Sequence, residues 1–326
     1  MGYNLYLFDH NIRVAITLGI VGAGGLGIEL FTQMRGFHYQ RVSAILVIII
    51  VLVSMVDRLS AYLRREILEG TLFDRATRSR NLLLLTVFVT ATFASLFFVS
   101  LDMGQIYGGF LRVLGFMIEA VPPDISETPL YLRLMLETLA IGVCGTTLAI
   151  ILSAPLGLLA ARNITSSHWL YNLSKELTNL LRAMPELIFA LVFVAAVGLG
   201  PIAGVMAIGL HTTGFLGKFY AEAIENLDPN PIEAIDATGA RFSQKISHAV
   251  VPLMMPLFNS YNLFLLDRNI RASTVMGIVG AGGIGFELIM NTRLFEIQKV
   301  VTMIIVILIA IIGVEWISNV LRKRAV

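Results

Sequence analysis

The sequence contains few charged residues and only one cysteine. Asp, Glu, Lys and Arg make up 14% of its 326 residues, whereas a soluble domain carries about 25%. The single Cys144 excludes an internal disulfide bond and a metal site built from several thiolates, and we expect it to be a small buried hydrophobe. A net charge of +2 is too small to indicate a nucleic-acid partner. These shortages argue against a soluble enzyme and a disulfide-rich secreted domain.

Long apolar stretches take up much of the chain instead. Hydrophobic residues are 56% of the sequence, and the mean hydropathy is +0.80. The stretches cover residues 42–56, 81–101, 132–161, 187–199, 202–220, 249–266 and 300–320. In lipid a helix satisfies its own backbone hydrogen bonds, and about 20 apolar residues span the bilayer. The composition therefore predicts an all-α multi-pass membrane protein. The first residues have no basic region ahead of an apolar core, so no cleavable signal peptide is expected.

The positions of Lys and Arg predict the orientation in the membrane. Segments expected in the cytoplasm are 64–80, 162–182, 218–248 and 322–324. The loop 102–129 is rich in acids and is expected outside, where residues 105–120 have the apolar spacing of a surface-lying helix. The loop 267–299 is also expected outside, although it carries Arg268, Arg271, Arg293 and Lys299. We expect these charges to be paired or functional.

One stretch of the sequence occurs twice. Residues 3–65 align without a gap to residues 261–323, and about 27 of the 63 positions are identical. Only the second copy follows a set of further helices. This predicts a partial repeat with one full membrane helix at 1–65, a basic cytoplasmic linker at 66–80 and a complete unit at 81–326.

Both copies contain a G-x-G-x-x-G motif, in the second copy at Gly280, Gly282 and Gly285 beside Gly283. A dinucleotide site needs this motif between a strand and a helix, with an acid about 20 residues later, and that context is missing. A membrane oxidoreductase is therefore disfavoured. Glycines also permit irregular backbone and close helix packing. We expect a bent re-entrant segment near a pathway, with simple tight packing as the alternative.

The polar segment between residues 220 and 249 is expected to form a short helix that projects from the membrane. Residues 233–237 favour a helix, Gly239 permits a sharp break, and Pro252 falls early in the next helix, where its missing N–H is tolerated. Such a helix suits a groove on a soluble partner, and an ordinary amphipathic loop is the alternative. The residues assigned to this segment are Glu233, Ala234, Asp236, Gly239, Ala240, Arg241 and Pro252.

This segment resembles the EAA loop of ABC importer permeases. Residues 233–240 read E-A-I-D-A-T-G-A, and residues 249–252 read A-V-V-P where that family usually has I-x-L-P. Five further stretches are similar to phosphonate-type permeases, a group that includes the permeases for phosphite and hypophosphite. They are residues 122–124, 182–186, 196–201, 211–214 and 269–285. The resemblance covers about residues 81–326 and implies a six-helix permease unit preceded by the end of another one.

The resemblance implies a transport subunit that does no chemistry and binds no metal or cofactor itself. Its implied partners are an extracytoplasmic solute-binding protein, two cytoplasmic ATPase subunits that hold ATP and Mg²⁺, and a second, identical permease. Glu233, Ala234, Gly239 and Ala240 are implied to form the coupling helix and its turn, and residues 280–285 to lie near the outer gate. The expected location is among the lipids of a bacterial inner membrane.

Candidate solute contacts are the polar residues within the apolar stretches. His211, Thr212 and Thr213 could offer N–H and O–H donors to an oxyanion, or could instead bond to their own helix and neighbours. Glu186 is expected to pair with Arg182. Arg268 and Arg271 are expected near the outer face, where they could attract an anion or serve as anchors at the membrane interface. The leading hypothesis is an importer for phosphonate or a related phosphorus oxyanion. An ion-coupled secondary transporter or a permease for another solute such as methionine stays open.

Overall fold

The computed structural model describes residues 11–68 and 103–325, together with positions 86, 89–90 and 92–97. Within these ranges the chain forms helices joined by short turns, without a strand, which confirms the predicted all-α class. Most of the linker at 66–80 and of the helix predicted at 81–101 lies outside the described residues.

The helices form two groups. The N-terminal block, residues 11–68, contains α1 (Asn11–Ala23), α2 (Gly25–Arg35) and α3 (Tyr39–Leu68). The C-terminal unit, residues 103–325, contains α4 (Met103–Glu119), α5 (Thr128–Leu159), α6 (His168–Ala183), α7 (Glu186–Val197), α8 (Pro201–Glu225), α9 (Pro229–Ala237), α10 (Phe242–Lys245), α11 (Val251–Met276), α12 (Ile284–Arg293) and α13 (Ile297–Ala325). A π-helical turn, Ile246–Val250, joins α10 to α11.

Five helical segments of the described chain are long and apolar enough to cross a membrane: Tyr39–Ser60, Thr128–Leu159, Pro201–Glu225, Phe242–Val279 and Ile297–Arg322. The apolar stretch at 187–199 does not form a spanning helix by itself, although it passes the length and composition test together with the helix before it. Helix α7 has 12 residues, a length of about 18 Å, and it meets α6 at 90°. Met184 between them is extended because the following Pro185 disfavours helical backbone. The apolar stretch is thus the second half of a bent element.

Helices α5 and α8 form the centre of the C-terminal unit, and glycines let them approach closely. A Cβ at Gly145 of α5 would lie 2.7 Å from Ile208 of α8, and a Cβ at Gly157 would lie 2.6 Å from Tyr220. Small residues bring helix backbones together in membranes, where helix association depends on close contact. Cys144 beside this contact is exposed, so its predicted burial is wrong.

The N-terminal block packs against the bent element of the C-terminal unit. Its Leu30 and Ile49 share one hydrophobic core with Ile188 and Leu191 of α7, and all four side chains are buried. Arg13 also donates a hydrogen bond from Nη1 to the carbonyl oxygen of Arg182, 3.0 Å away. The block is therefore joined to the unit that follows it by a shared apolar contact and a hydrogen bond.

Three of the basic residues that conflicted with the predicted outside loop at 267–299 are paired. Helix α11 continues to Met276, so Arg268 and Arg271 belong to the helix and not to the loop. Arg268 pairs with Glu186 and Arg271 with Asp267. Lys299 pairs with Glu127 at 2.9 Å and with Glu296 at 2.8 Å. Pairing lowers the cost of placing these charges at a membrane boundary.

Candidate functional site

Helix α9 is the short helix that the sequence predicted at residues 233–237, and it begins four residues earlier, at Pro229. Asp228 caps it by accepting a hydrogen bond from the Asn230 backbone N–H at 3.0 Å. Ile232 is buried in the core beside the ends of α5 and α8, whereas Glu233 and Ala234 are exposed. One side of the helix thus holds it to the membrane unit, and the other side is open to a partner.

The turn after α9 is fixed by backbone geometry and one ion pair. Gly239 has φ +73°, a left-handed conformation that glycine adopts easily, and its N–H donates to the Asp236 carbonyl at 3.0 Å. The Arg241 backbone N–H then donates to Gln244 Oε1 at 2.8 Å. Across the turn, Lys245 Nζ lies 2.6 Å from Asp236 Oδ2. Ala240 is half-buried, and Pro252 sits exposed in the first turn of α11.

The glycine segment between α11 and α12 is a compact turn docked onto the rest of the unit. Gly280, Gly282 and Gly283 all have positive φ, at 96°, 85° and 72°. The Gly283 N–H donates to Glu137 Oε1 and the Ile284 N–H to Thr138 Oγ1, both at 2.9 Å. The structure therefore combines the irregular backbone and the close packing that the sequence offered as alternatives. Its role as an outer gate stays a prediction.

The turn also depends on Gly285, and we expect Gly285→Ala to destabilise the protein. The added Cβ would lie 1.9 Å from the Thr274 carbonyl oxygen, a backbone atom that has little room to move. Overpacking of this kind costs about 1–3 kcal/mol. Gly313→Ala is the matched control, since a Cβ there meets nothing within 4 Å. The thermal unfolding midpoint in detergent should fall for the first variant only, and equal midpoints would contradict the tight contact.

A charged cluster lies where α7, α8 and α11 meet. Glu186 Oε2 is 3.6 Å from Arg268 Nη2 and 3.7 Å from His211 Nε2. The Arg268 guanidinium lies 4.7 Å from the centre of the Phe215 ring, and that of Arg182 lies 5.8 Å from it. The base beside Glu186 is thus Arg268, in place of the predicted Arg182.

His211 lies buried within this cluster. It is 5% exposed, and neither ring nitrogen has a hydrogen-bond partner among the described residues. Its ring lies between Phe189 and Phe215, with centroid distances of 6.1 and 5.2 Å. A buried, unsatisfied imidazole is costly, so it marks a place where a polar ligand would be stabilised.

The neighbouring threonines are already engaged. Thr213 donates to the Gly209 carbonyl of its own helix at 2.7 Å. Thr212 donates to Asn269 Oδ1 at 3.0 Å, and Asn269 Nδ2 donates to Thr146 Oγ1 at 2.9 Å, which links α8, α11 and α5. Both threonines therefore have structural hydrogen bonds. Thr146 could not be found from local patterns, because its partner Asn269 lies 123 positions away in the chain.

Arg271, the other candidate for solute contact, lies apart from this cluster. Its side chain is 48% exposed and pairs with Asp267, one turn earlier in α11. The structure thus brings together His211, Glu186 and Arg268 from the predicted candidates and places Arg271 elsewhere. No group of three or more His, Cys, Asp or Glu side chains in the described ranges could hold a metal ion.

Comparisons with known proteins identify the class of this chain. Residues 153–326 match the family described as binding-protein-dependent transport system inner membrane component. The phosphate-import permease protein PhnE of Mycolicibacterium smegmatis is 36% identical over 99% of this chain and 61% of its own length. This chain thus spans about three fifths of that relative. The phosphite transport system permease protein PtxC of Stutzerimonas stutzeri is 42% identical over 69% of this chain and 82% of its own.

The fold agrees with that of a solved transporter. The structure of the MetNI methionine ABC transporter, in an inward-facing conformation, superposes with a TM-score of 0.55 at 19% identity, over 62% of this chain and 99% of the matched chain. At this identity the similarity concerns the fold alone. The family match over residues 153–326 shows that this chain belongs to the binding-protein-dependent transport system inner membrane components, and its apolar helices make it a multi-pass membrane protein.

Proposed function

We propose that this chain forms the translocation pathway of an ATP-driven importer for a phosphorus oxyanion, such as phosphite, phosphate or a phosphonate. A binding protein on the outside would deliver the anion. Two ATPase subunits in the cytoplasm would bind ATP and Mg²⁺ and would drive the change between outward and inward access. The permease would contribute binding and movement but no chemical step, and a second permease subunit, expected to be identical, would complete the pathway.

The observation that carries the proposal is the guanidinium of Arg268 beside the buried imidazole of His211. Arg268 Nη2 lies 3.6 Å from Glu186 Oε2, and His211 Nε2 lies 3.7 Å from the same oxygen. Arginine binds phosphorus oxyanions through paired N–H donors, and His211 could add a further hydrogen bond. The names of the PhnE and PtxC relatives, for phosphate and phosphite, support the same class of solute.

The path from the ATPases to the cluster would run through α11. Helix α9 leads through its turn and α10 directly into α11. Helix α11 carries Arg268 and then ends at the glycine turn that docks on Glu137 and Thr138. A displacement of α9 would therefore be transmitted along one helix to the cluster and to the turn. Rigid helices of this kind are suited to carry coupling between distant sites.

A polar recess lies on the side of the unit that is predicted to face outward. It has a volume of about 570 Å³ and is lined by Glu119, Asp124, Glu296 and Lys299, among others. Hydrogen bonds from the Ser126 hydroxyl and backbone N–H hold the pKa of Asp124 below its ordinary value. Asp124 therefore stays ionised at neutral pH. We propose this recess as part of the binding-protein contact, because charged rims steer the association of soluble partners.

Reconstitution separates the proposed activity from the alternatives. This chain and its ATPase are reconstituted in proteoliposomes. Labelled phosphite is supplied together with the binding protein, and its transport across the membrane is measured. Uptake that requires ATP and is blocked by vanadate is expected. Uptake driven by an ion gradient without ATP would indicate a secondary transporter, and selective uptake of methionine would contradict the phosphorus oxyanion.

Within this system, Glu233→Lys should reduce uptake to background. Glu233 is exposed on the open side of α9, and the change reverses its charge without touching the buried Ile232. Reversing a charge at an interface disrupts its electrostatic match with the partner. Glu222→Lys is the control, because it makes the same charge change at an exposed site on α8, outside α9. Full uptake by Glu233→Lys, or equal loss in both variants, would argue against α9 as the coupling helix.

A further inference from the structure

The ring of Phe215 contacts both candidate donors of the charged cluster. Its centre lies 4.7 Å from the guanidinium carbon of Arg268 and 5.2 Å from the centre of the His211 ring. Phe215 follows His211 by one turn of α8, whereas Arg268 belongs to α11. One apolar side chain therefore lies against the two groups that the proposed function assigns to the oxyanion.

The packing around Phe215 fixes the position of its ring. The residue is half-buried and packs against the hydrophobic core that contains Leu216 and Leu265. A Cβ at the preceding Gly214 would lie 2.9 Å from the backbone nitrogen of Arg182, so glycine allows the end of α6 to approach α8. The guanidinium carbon of Arg182 then lies 5.8 Å from the centre of the same ring. The ring is thus held where α6, α8 and α11 meet.

Glu186 alone does not fix the orientation of Arg268. The Arg268 side chain is 34% exposed, and its Nη2 lies 3.6 Å from Glu186 Oε2. A hydrogen bond from nitrogen to oxygen has a length of about 2.7–3.2 Å, so this pair gives attraction without a fixed geometry. A long side chain that must be ordered by its ligand weakens binding, because its rotamer entropy is lost at that moment. A ring that already holds the guanidinium lowers this cost.

An aromatic ring suits this task better than a second carboxylate would. A carboxylate attracts a guanidinium but also repels an oxyanion. The face of an aromatic ring attracts a cation through its quadrupole and carries no net charge. The N–H donors of a guanidinium lie in its plane, so a ring over its face leaves them able to bind two oxygens of an anion.

We propose that Phe215 is the positioning residue of the oxyanion site, and that its ring holds the Arg268 guanidinium in the orientation that binds the solute. This role rests on the proposed function, because it has a meaning only if Arg268 contacts the oxyanion. It adds that the contact with the ring, and not the ion pair with Glu186, orients Arg268. Cation–π contacts correspond to about a two- to thirtyfold change in an equilibrium constant, so removal of the ring should weaken solute binding by this factor.

The test measures equilibrium binding of labelled phosphite to the complete complex of this chain with its ATPase, in detergent and without the binding protein. Phe215→Leu removes the ring and should raise the dissociation constant about two- to thirtyfold. Phe215→Tyr keeps the ring and should bind nearly as tightly as the unchanged protein. Should Phe215→Leu fail to fold, Phe215→Met, which keeps more of the side-chain volume, takes its place with the same expected result.

Phe219→Leu is the matched control on the next turn of α8. The Phe219 ring lies 6.4 Å from that of Phe215 and 5.3 Å from that of Tyr261, and it has no guanidinium contact within the described residues. The control therefore removes the same kind of ring from the same helix without touching Arg268. Its phosphite binding should be unchanged. Equal losses in Phe215→Leu and Phe219→Leu, or in Phe215→Leu and Phe215→Tyr, would overturn the proposal.

A double variant separates positioning from a general loss of packing. If Phe215 acts through Arg268, then Phe215→Leu should weaken phosphite binding no further once Arg268→Gln has removed the guanidinium. Losses that multiply in the double variant would show that the two residues act independently and would overturn the proposal.

The same measurements distinguish this proposal from the function on which it rests. If Arg268→Gln weakens binding and Phe215→Leu does not, Arg268 binds the solute and only the positioning role is wrong. If the unchanged complex binds no phosphite, or Arg268→Gln binds it equally well, the oxyanion site itself is contradicted and the role of Phe215 falls with it.

Discussion

Gly239→Pro should abolish ATP-driven uptake while the protein still inserts into the membrane. Proline fixes φ near about −65°, whereas Gly239 has φ +73°, so the turn after α9 cannot form. Proline also lacks the N–H that donates to the Asp236 carbonyl at 3.0 Å. With the turn lost, the 2.6 Å pair between Asp236 and Lys245 would separate, and α9 would no longer lead into α11 at a fixed angle. Uptake and solute-stimulated ATP hydrolysis should both fall to background.

Gly239→Asn is the control that separates backbone conformation from side-chain contact. A Cβ at this position meets nothing within 4 Å within the chain, and asparagine adopts the left-handed conformation more readily than other non-glycine residues. Uptake by Gly239→Asn should therefore remain close to that of the unchanged protein. Uptake by Gly239→Pro would show that α9 does not couple, and loss of uptake in both variants would point to a direct partner contact at Gly239.

Local patterns in the sequence were sufficient to predict α9 and the glycine turn. Both depend on residues close together in the chain: Asp228 caps the helix that ends before Gly239, and three glycines with positive φ make the turn before α12. Capping and left-handed glycine are properties of a few consecutive residues, so they are visible without a structure. The membrane helices follow from composition for the same reason.

The charged cluster and the bend before it could not be predicted in this way. Apolar composition marks residues 187–199 as a membrane segment but does not show that α7 is only half of a bent element. Glu186 and Arg268 lie on helices far apart in sequence, and the nearest base in the chain suggested a different partner. Pairings of this kind depend on how helices pack, and one sequence without relatives does not record that.

Arg268→Gln should reduce uptake of the oxyanion strongly, because it removes the guanidinium beside His211 and Glu186. Hydrogen bonds to charged groups contribute about 1.5–3 kcal/mol, so the apparent affinity should fall roughly tenfold to a hundredfold. Uptake rates over a range of phosphite concentrations in proteoliposomes would measure this loss. Arg271→Gln is the matched control on the same helix, since Arg271 pairs with Asp267 outside the cluster, and its uptake should change little.

A double variant distinguishes anion binding from simple charge pairing. If Arg268 served only to neutralise Glu186, 3.6 Å away, then Arg268→Gln would leave a partly buried carboxylate without its base, and that loss would be the whole effect. Adding Glu186→Gln would then remove the unpaired charge and restore uptake. If Arg268 binds the oxyanion, the neutral double variant still lacks the guanidinium and stays defective. Recovery of phosphite uptake in the double variant would therefore contradict the assignment of Arg268 to the solute pathway, whereas a persistent defect with normal thermal stability would support it.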